Sequence, residues 1–236
     1  ADDGNLDALI SKGCWTPVET FGTGATADWS GQFQDSGERH IRISRAGGEF
    51  AEATWKLGGT HNLENALAAI AASGSAGISL KKAVEALSRF DGVKRRMERT
   101  ATVSDIAIYD DFAHHPTAIR RTLAGLKRRC PGQRIVVALE PRSNTMKLGV
   151  HNATLISALD DADLIFVYRP ADMSAEFDKA LATAGKRLLS FGDYDELVIA
   201  LSGKLLPGDQ VVFMSNGGFG ATRQKLTMAL QQKRGG

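Results

Sequence analysis

The sequence predicts a mixed α/β fold: a mostly parallel sheet with helices on both faces, preceded by short antiparallel strands and two helices. Three observations carry this expectation. From about residue 98, short apolar runs rich in β-branched residues alternate with helical patterns. Those runs are apolar on both faces, as strands covered from both sides must be. Before residue 98, glycine-interrupted runs alternate apolar with polar side chains, which suits strands with one wet face. The expected division is therefore 1–97 and 98–236.

In chain order, Leu6–Lys12 reads as a short helix. His40–Ser44 and Glu52–Leu57 are alternating strands. Asn62–Ser73, dense in Ala and Leu, is a helix, and a second runs from Leu80 to Arg89 after the turn at Gly77. In the second part, Ile106–Tyr109 is a strand. Pro116–Arg129 is a helix with proline in the first turn, where its missing N–H costs nothing. Arg134–Leu139 is a strand, His151–Leu159 a helix and Leu164–Val167 a strand. Ser174–Thr183 is a helix, Arg187–Ser190 a strand, and Asp193–Ser202 a helix capped by its aspartate. Gln210–Met214 is the last strand, and Phe219–Lys233 the closing helix.

Composition narrows the functional classes. The 236 residues carry 29 Lys+Arg against 27 Asp+Glu, a net charge of +2. So small an excess gives no pull toward nucleic acid or an anionic membrane. No apolar run reaches the ~18 residues a membrane span needs. Cys14 and Cys130 form no ligand cluster and read as reduced structural thiols.

Several motifs carry chemistry. Gly22–Ala27 fits G-x-G-x-x-A, but Asp28-Trp-Ser-Gly31 follows instead of a helix, so it reads as a turn. Neither Gly185-Lys186 nor Gly203-Lys204 completes a phosphate-binding loop, because Ser/Thr and the leading glycine are both missing. His61, Asn62 and Asn65 open the Ala-rich helix, whose first N–H groups face a ligand. An Asn amide offers donors and an acceptor to an adenine edge, and it serves equally as a helix cap. The Arg95-Arg96 pair suits phosphate or a solvated linker. Three polar runs follow strands: Asp110–Pro116 with its two His, Glu140–Met146, and Met214–Gly220. They fall on the sheet edge where open α/β folds bind ligands.

Together and in this order, these motifs resemble the Mur ligase family, ATP-dependent enzymes that join amino acids or peptides to a UDP-sugar carboxylate in peptidoglycan assembly. The resemblance implies that 1–97 is the second half of a central ATP-binding domain and 98–236 a Rossmann-like C-terminal domain. His61, Asn62 and Asn65 match the family's H-N-x-x-N signature and imply the adenine side of the ATP site. Arg96 then implies a ribose or pyrophosphate contact, and Asp111 a ribose contact. Asp110–Pro116 resembles the branch acting on UDP-N-acetylmuramate. Glu140–Lys147 resembles the members that attach the salvaged murein tripeptide, L-alanyl-γ-D-glutamyl-meso-diaminopimelate, in one step. Ala113 and Ala118 stand where the sister branch, which adds L-alanine, has Gly and Glu.

His114, His115, Arg142, Ser143, Asn144, Thr145 and Asn216 are expected to face the peptide. No catalytic residue and no metal ligand is assigned. The implied cofactors are ATP and Mg²⁺, the implied intermediate an acyl phosphate, and the implied compartment the cytoplasm. The two domains would close over ATP through a hinge between Gly92 and Glu98. The UDP-binding domain and the P-loop are not in this sequence. The expectation is thus a fragment, inactive alone, whose partners are the N-terminal domains of the same protein. Its first 97 residues are expected to expose a truncated sheet and to associate with another copy. The alternatives are an L-alanine ligase and a non-catalytic nucleotide-binding module.

Overall fold

The computed structural model describes residues 4–24, 26–142 and 152–235. The chain divides into two compact units, 1–92 and 93–236. The expected boundary at 97/98 falls inside the second unit. Arg95 and Met97 are tied to that unit's sheet edge, the former through Ser215 and the latter through Asp111.

In the first unit, the exposed helix α1 (Gly4–Ile10) precedes β1 (Phe21–Gly22), β2 (Trp29–Phe33), β3 (His40–Arg45) and β4 (Phe50–Thr54), which neighbour one another in that order. β2, β3 and β4 pair antiparallel, as expected. β1, however, runs parallel to β2. The Asp28 carboxylate accepts from the Thr20 amide at 2.7 Å and the Thr20 hydroxyl at 2.8 Å. This ties the start of β1 to the start of β2, so both leave in the same direction. The G-x-G-x-x-A run is the link between them and leads into a strand, not a helix. In β3, Ile41 and Ile43 are fully buried while His40 and Arg42 face water. Helix α2 (Thr60–Ser75) lays Leu63, Ala66, Leu67 and Ile70 onto this sheet face, the 3–4 spacing of one helical stripe. Helix α3 (Leu80–Ser88) adds Leu80 and Val84 to the same core, which also holds Trp29 and Trp55.

The second unit is a six-stranded sheet: β5 (Glu98–Val103), β6 (Ile106–Asp111), β7 (Ile135–Leu139), β8 (Leu164–Tyr168), β9 (Leu188–Phe191) and β10 (Gln210–Met214), in the spatial order β5-β6-β10-β7-β8-β9. All neighbours are parallel except the edge strand β5, which forms an antiparallel hairpin with β6. β5 was not expected. Its hairpin turns at Ser104 and Asp105, both with positive φ (49° and 62°). This is the geometry of a two-residue hairpin turn, built here without the usual Asn or Gly.

Helices cover both faces of the sheet. Side chains from α4 (Pro116–Arg129), α5 (Asn152–Ala158) and α6 (Ala175–Thr183) meet Ile135, Val137 and Leu139 on one face. Those from α7 (Tyr194–Lys204) and α8 (Thr222–Gly235) meet Val136 and Ala138 on the other. The period of two along β7 thus sends its residues alternately into two cores. Fully buried Phe166, Phe177 and Phe213 anchor them, each contributing roughly 1.5–3 kcal/mol of burial. Asp193 caps α7 as expected, accepting from the Asp195 and Glu196 amides.

Candidate functional site

β6 and β7 lead into helices on one face of the sheet. β10 lies between them and leads into α8 on the opposite face. The connections therefore part at β10, and such a point opens a crevice beyond the carboxyl ends of the strands. The described parts of the three polar loops noted in the sequence, 110–116, 140–142 and 214–220, meet there.

At the end of β6, Asp110 is buried and pairs with Arg95 at 3.5 Å and with Arg223 from the first turn of α8. Asp111 is 3% exposed. Its two oxygens accept from the Met97 amide at 2.7 Å and the Ala113 amide at 2.8 Å. Burial outweighs those bonds and the nearby Arg96 charge, and pushes the Asp111 carboxyl above the usual carboxylate range. The paired arginines have different neighbours. Arg95 donates to the Ser215 and Gly217 carbonyls, each at 2.6 Å, and so fixes the loop after β10. Arg96 is exposed, with its guanidinium 5.6 Å over the Phe112 ring. His114 is half-buried, with Nδ1 3.0 Å from the Phe112 carbonyl. His115 caps α4, its Nδ1 accepting from the Thr117 amide at 3.3 Å.

At the end of β7, Glu140 is 1% exposed and accepts from the Tyr194 hydroxyl at 2.6 Å and from the Ser215 hydroxyl. Burial first, then the bond to Glu140, pushes the Tyr194 hydroxyl well above its ordinary range. Arg142 lies against Gly217, so closely that a Cβ there would stand 2.1 Å from its Nη1. Ser143, Asn144 and Thr145 lie outside the described residues. In the loop after β10, the Asn216 Oδ1 is buried without a hydrogen-bond partner.

The remaining expected residues belong to the first unit. His61, Asn62 and Asn65 occupy the first two turns of α2. The preceding Gly59 N–H is held by the buried carboxylate of Glu38 at 2.5 Å. The Asn62 amide donates to the Gly58 carbonyl at 2.7 Å, while Asn65 is exposed. Helix-start N–H groups and an exposed amide can meet the polar edge of a ligand. The sequence holds no complete glycine-rich Gly-Lys-Ser/Thr loop for its phosphates.

The sequence points to the runs that hold Glu140 and Ser215 and to the Arg95-Arg96 pair, but not to Tyr194 or Arg223, nor to Glu140 as the residue that Tyr194 and Ser215 meet. An acid directly after an apolar strand was the available signal for Glu140. Nothing local marks Tyr194, which lies 54 residues further on.

A doubly covered, mostly parallel sheet with anion-suited loops gathered at one strand edge defines a ligand-binding domain of the Rossmann-like class. Residues 95–217 match the family described as "Mur ligase, glutamate ligase domain", and the chain belongs to the Mur ligase family. It is 36% identical to the UDP-N-acetylmuramate–L-alanyl-γ-D-glutamyl-meso-2,6-diaminoheptandioate ligase of Haemophilus influenzae, over 99% of this chain and 51% of that protein. Among solved structures it resembles a murein peptide ligase from Psychrobacter arcticus, with a TM-score of 0.74 and 36% identity over 98% of this chain and 50% of that one. It also resembles a UDP-N-acetylmuramate–alanine ligase from Thermotoga maritima, with a TM-score of 0.77 and 25% identity over 91% of this chain and 48% of that one. The chain spans about half the length of the curated relatives it matches. No helix among the described residues is long and apolar enough to cross a membrane.

Proposed function

We propose that the intact protein joins the murein tripeptide L-alanyl-γ-D-glutamyl-meso-diaminopimelate to the carboxylate of UDP-N-acetylmuramate, in the cytoplasm, with ATP and Mg²⁺. A carboxylate is a poor acyl donor, and ATP, when bound, supplies the phosphoryl group that makes it a good one. The protein's own task is then to position the reactants and neutralise charge. His61, Asn62 and Asn65 would hold the adenine side, and Arg96 and Asp111 the ribose or pyrophosphate side. His114, His115, Arg142, Ser143, Asn144, Thr145 and Asn216 would face the peptide.

The observation that carries this reading is the Arg142 guanidinium laid over Gly217 at the crevice mouth. It offers a planar, permanently charged donor to the carboxylates of an acidic peptide. The choice of tripeptide over L-alanine is supported by the relatives: 36% identity to tripeptide ligases against 32% to an alanine ligase. We further propose that residues 1–236 alone do not turn over ATP, because no P-loop is present.

The test is ADP release by the full-length parent protein, given UDP-N-acetylmuramate with either tripeptide or L-alanine. Release with tripeptide only is expected. Release with L-alanine only would move the protein to the sister activity, and release with neither would remove the ligase reading. ADP release by residues 1–236 alone would refute the inactivity proposal.

A further inference from the structure

Among the described residues, Glu140 is the buried carboxylate at the end of β7, beside β10. Burying a carboxylate is costly unless its lone pairs are filled, and here each oxygen takes one hydroxyl. Oε1 accepts from Tyr194 and Oε2 from Ser215. A serine hydroxyl has a single proton. Because Ser215 gives that proton to Glu140, its lone pairs are left to receive the Gly217 N–H, at 2.8 Å. Both hydroxyls donate to carboxylate oxygens, and the Gly217 N–H, which can only donate, completes the line. The Tyr194 ring is held from two sides. It stacks on Tyr168 with ring centroids 4.0 Å apart, and Gly220 lies so close that a Cβ would come within 2.4 Å of it. At the far end, Gly217 carries Arg142 against its α-carbon. Residues at the ends of β7, β8 and β10 and at the start of α7 are thus joined in one line, from Tyr168 through Tyr194, Glu140, Ser215 and Gly217 to Arg142.

We propose that Glu140 and Tyr194 are positioning residues. They set the loop 215–218 and, through Gly217, the place of Arg142, and so tune recognition of the acceptor peptide's carboxylates without touching the peptide. This rests on the reading that the crevice receives that peptide. Core packing alone does not call for a charge here, since an apolar side chain fills a β7 end at lower cost.

Tyr194→Phe and Glu140→Gln keep size and shape, so the test uses both in the intact parent protein. Two readouts are taken: KM for each substrate from ADP release, and hydrogen exchange of the segment 215–220. The expected result is a tripeptide KM raised about tenfold, with kcat and the KM for ATP within about twofold, and faster exchange confined to 215–220. A uniform fall in kcat with all KM values unchanged would overturn the proposal, because it would mark the network as structural only. Unchanged exchange in both variants would overturn the claim that the network holds the loop. If the unsubstituted protein releases no ADP with tripeptide, the functional reading fails and the peptide half of the proposal falls with it. The exchange result then still decides the positioning half.

Discussion

Three glycines of the second unit form a series that separates backbone strain from steric clash. Gly220 has φ 54° and ψ 27°, and a Cβ there would stand 2.4, 2.7 and 2.8 Å from three atoms of the Tyr194 ring. That ring is stacked on Tyr168 behind it and bonded to Glu140 at its tip, so it cannot slide aside cheaply. Gly132 has φ 75° with nothing near its Cβ position, and Gly218 has φ −81° with equally open space. Gly218→Ala is therefore expected to change stability by less than about 0.5 kcal/mol. Gly132→Ala should cost about 1 kcal/mol, from the left-handed backbone alone. Gly220→Ala should cost that plus about 1–3 kcal/mol of overpacking, or roughly 2–4 kcal/mol of the 5–15 a domain has.

Urea unfolding measures the series. All three tyrosines, Tyr109, Tyr168 and Tyr194, lie in 93–236, and all three tryptophans, Trp15, Trp29 and Trp55, lie in 1–92. Near-ultraviolet tyrosine signals thus follow the second unit, and tryptophan fluorescence follows the first. With a slope of about 2 kcal/mol/M, Gly220→Ala should lower the tyrosine midpoint by about 1–2 M. A midpoint no lower than that of Gly132→Ala would refute the claim that Tyr194 is wedged in place.

Three further outcomes are expected. Gly217→Ala meets only the flexible end of Arg142, so it should leave the melting temperature nearly unchanged while raising the tripeptide KM of the intact protein, as steady-state kinetics will show. Asp111 keeps its proton to higher pH when folded than when unfolded. Between the unfolded value near 4 and the raised folded value, the native state binds more protons, so stability falls as pH rises through that window. Asp111→Asn should flatten this slope in denaturation curves taken at successive pH values. Asp209, 2% exposed, is bonded twice by Arg134, at 2.8 and 2.6 Å. Arg134→Met leaves that buried carboxylate short of donors and should cost about 1–3 kcal/mol in urea unfolding.

The second unit was legible in its sequence because both faces of each central strand are buried. Ile135-Val-Val-Ala-Leu139 has nowhere wet to put a polar side chain, so the run stands out. β5 was not legible for the converse reason. As an edge strand it reads Glu-Arg-Thr-Ala-Thr-Val, and its turn uses Ser104-Asp105 in left-handed geometry with no glycine to announce it. The compact units part at 92/93 and not at 97/98 because Arg95 and Met97 bond to Ser215, Gly217 and Asp111, which no local pattern announces. The loops of the site were visible, since each follows a strand. The work of individual residues inside them was not. Which of Arg95 and Arg96 faces solvent depends on a carbonyl 120 residues away. That Glu140 meets Tyr194 depends on the path of three strands.

The strand order has a consequence for how the protein is made. β10 is the last strand in the chain, yet it sits between β6 and β7, near the middle of the sheet. During synthesis β6 and β7 leave the ribosome long before the strand that joins them. Until residues 210–214 follow, each has one edge without its partner, β6 beside β5 and β7 beside β8, the kind of exposure that favours wrong pairing. The nascent second unit is thus held open for some 70 residues of elongation after β7. A stalled or prematurely ended message that stops short of Gln210 yields a chain with no closed sheet, suited to clearance by proteases and not to partial use.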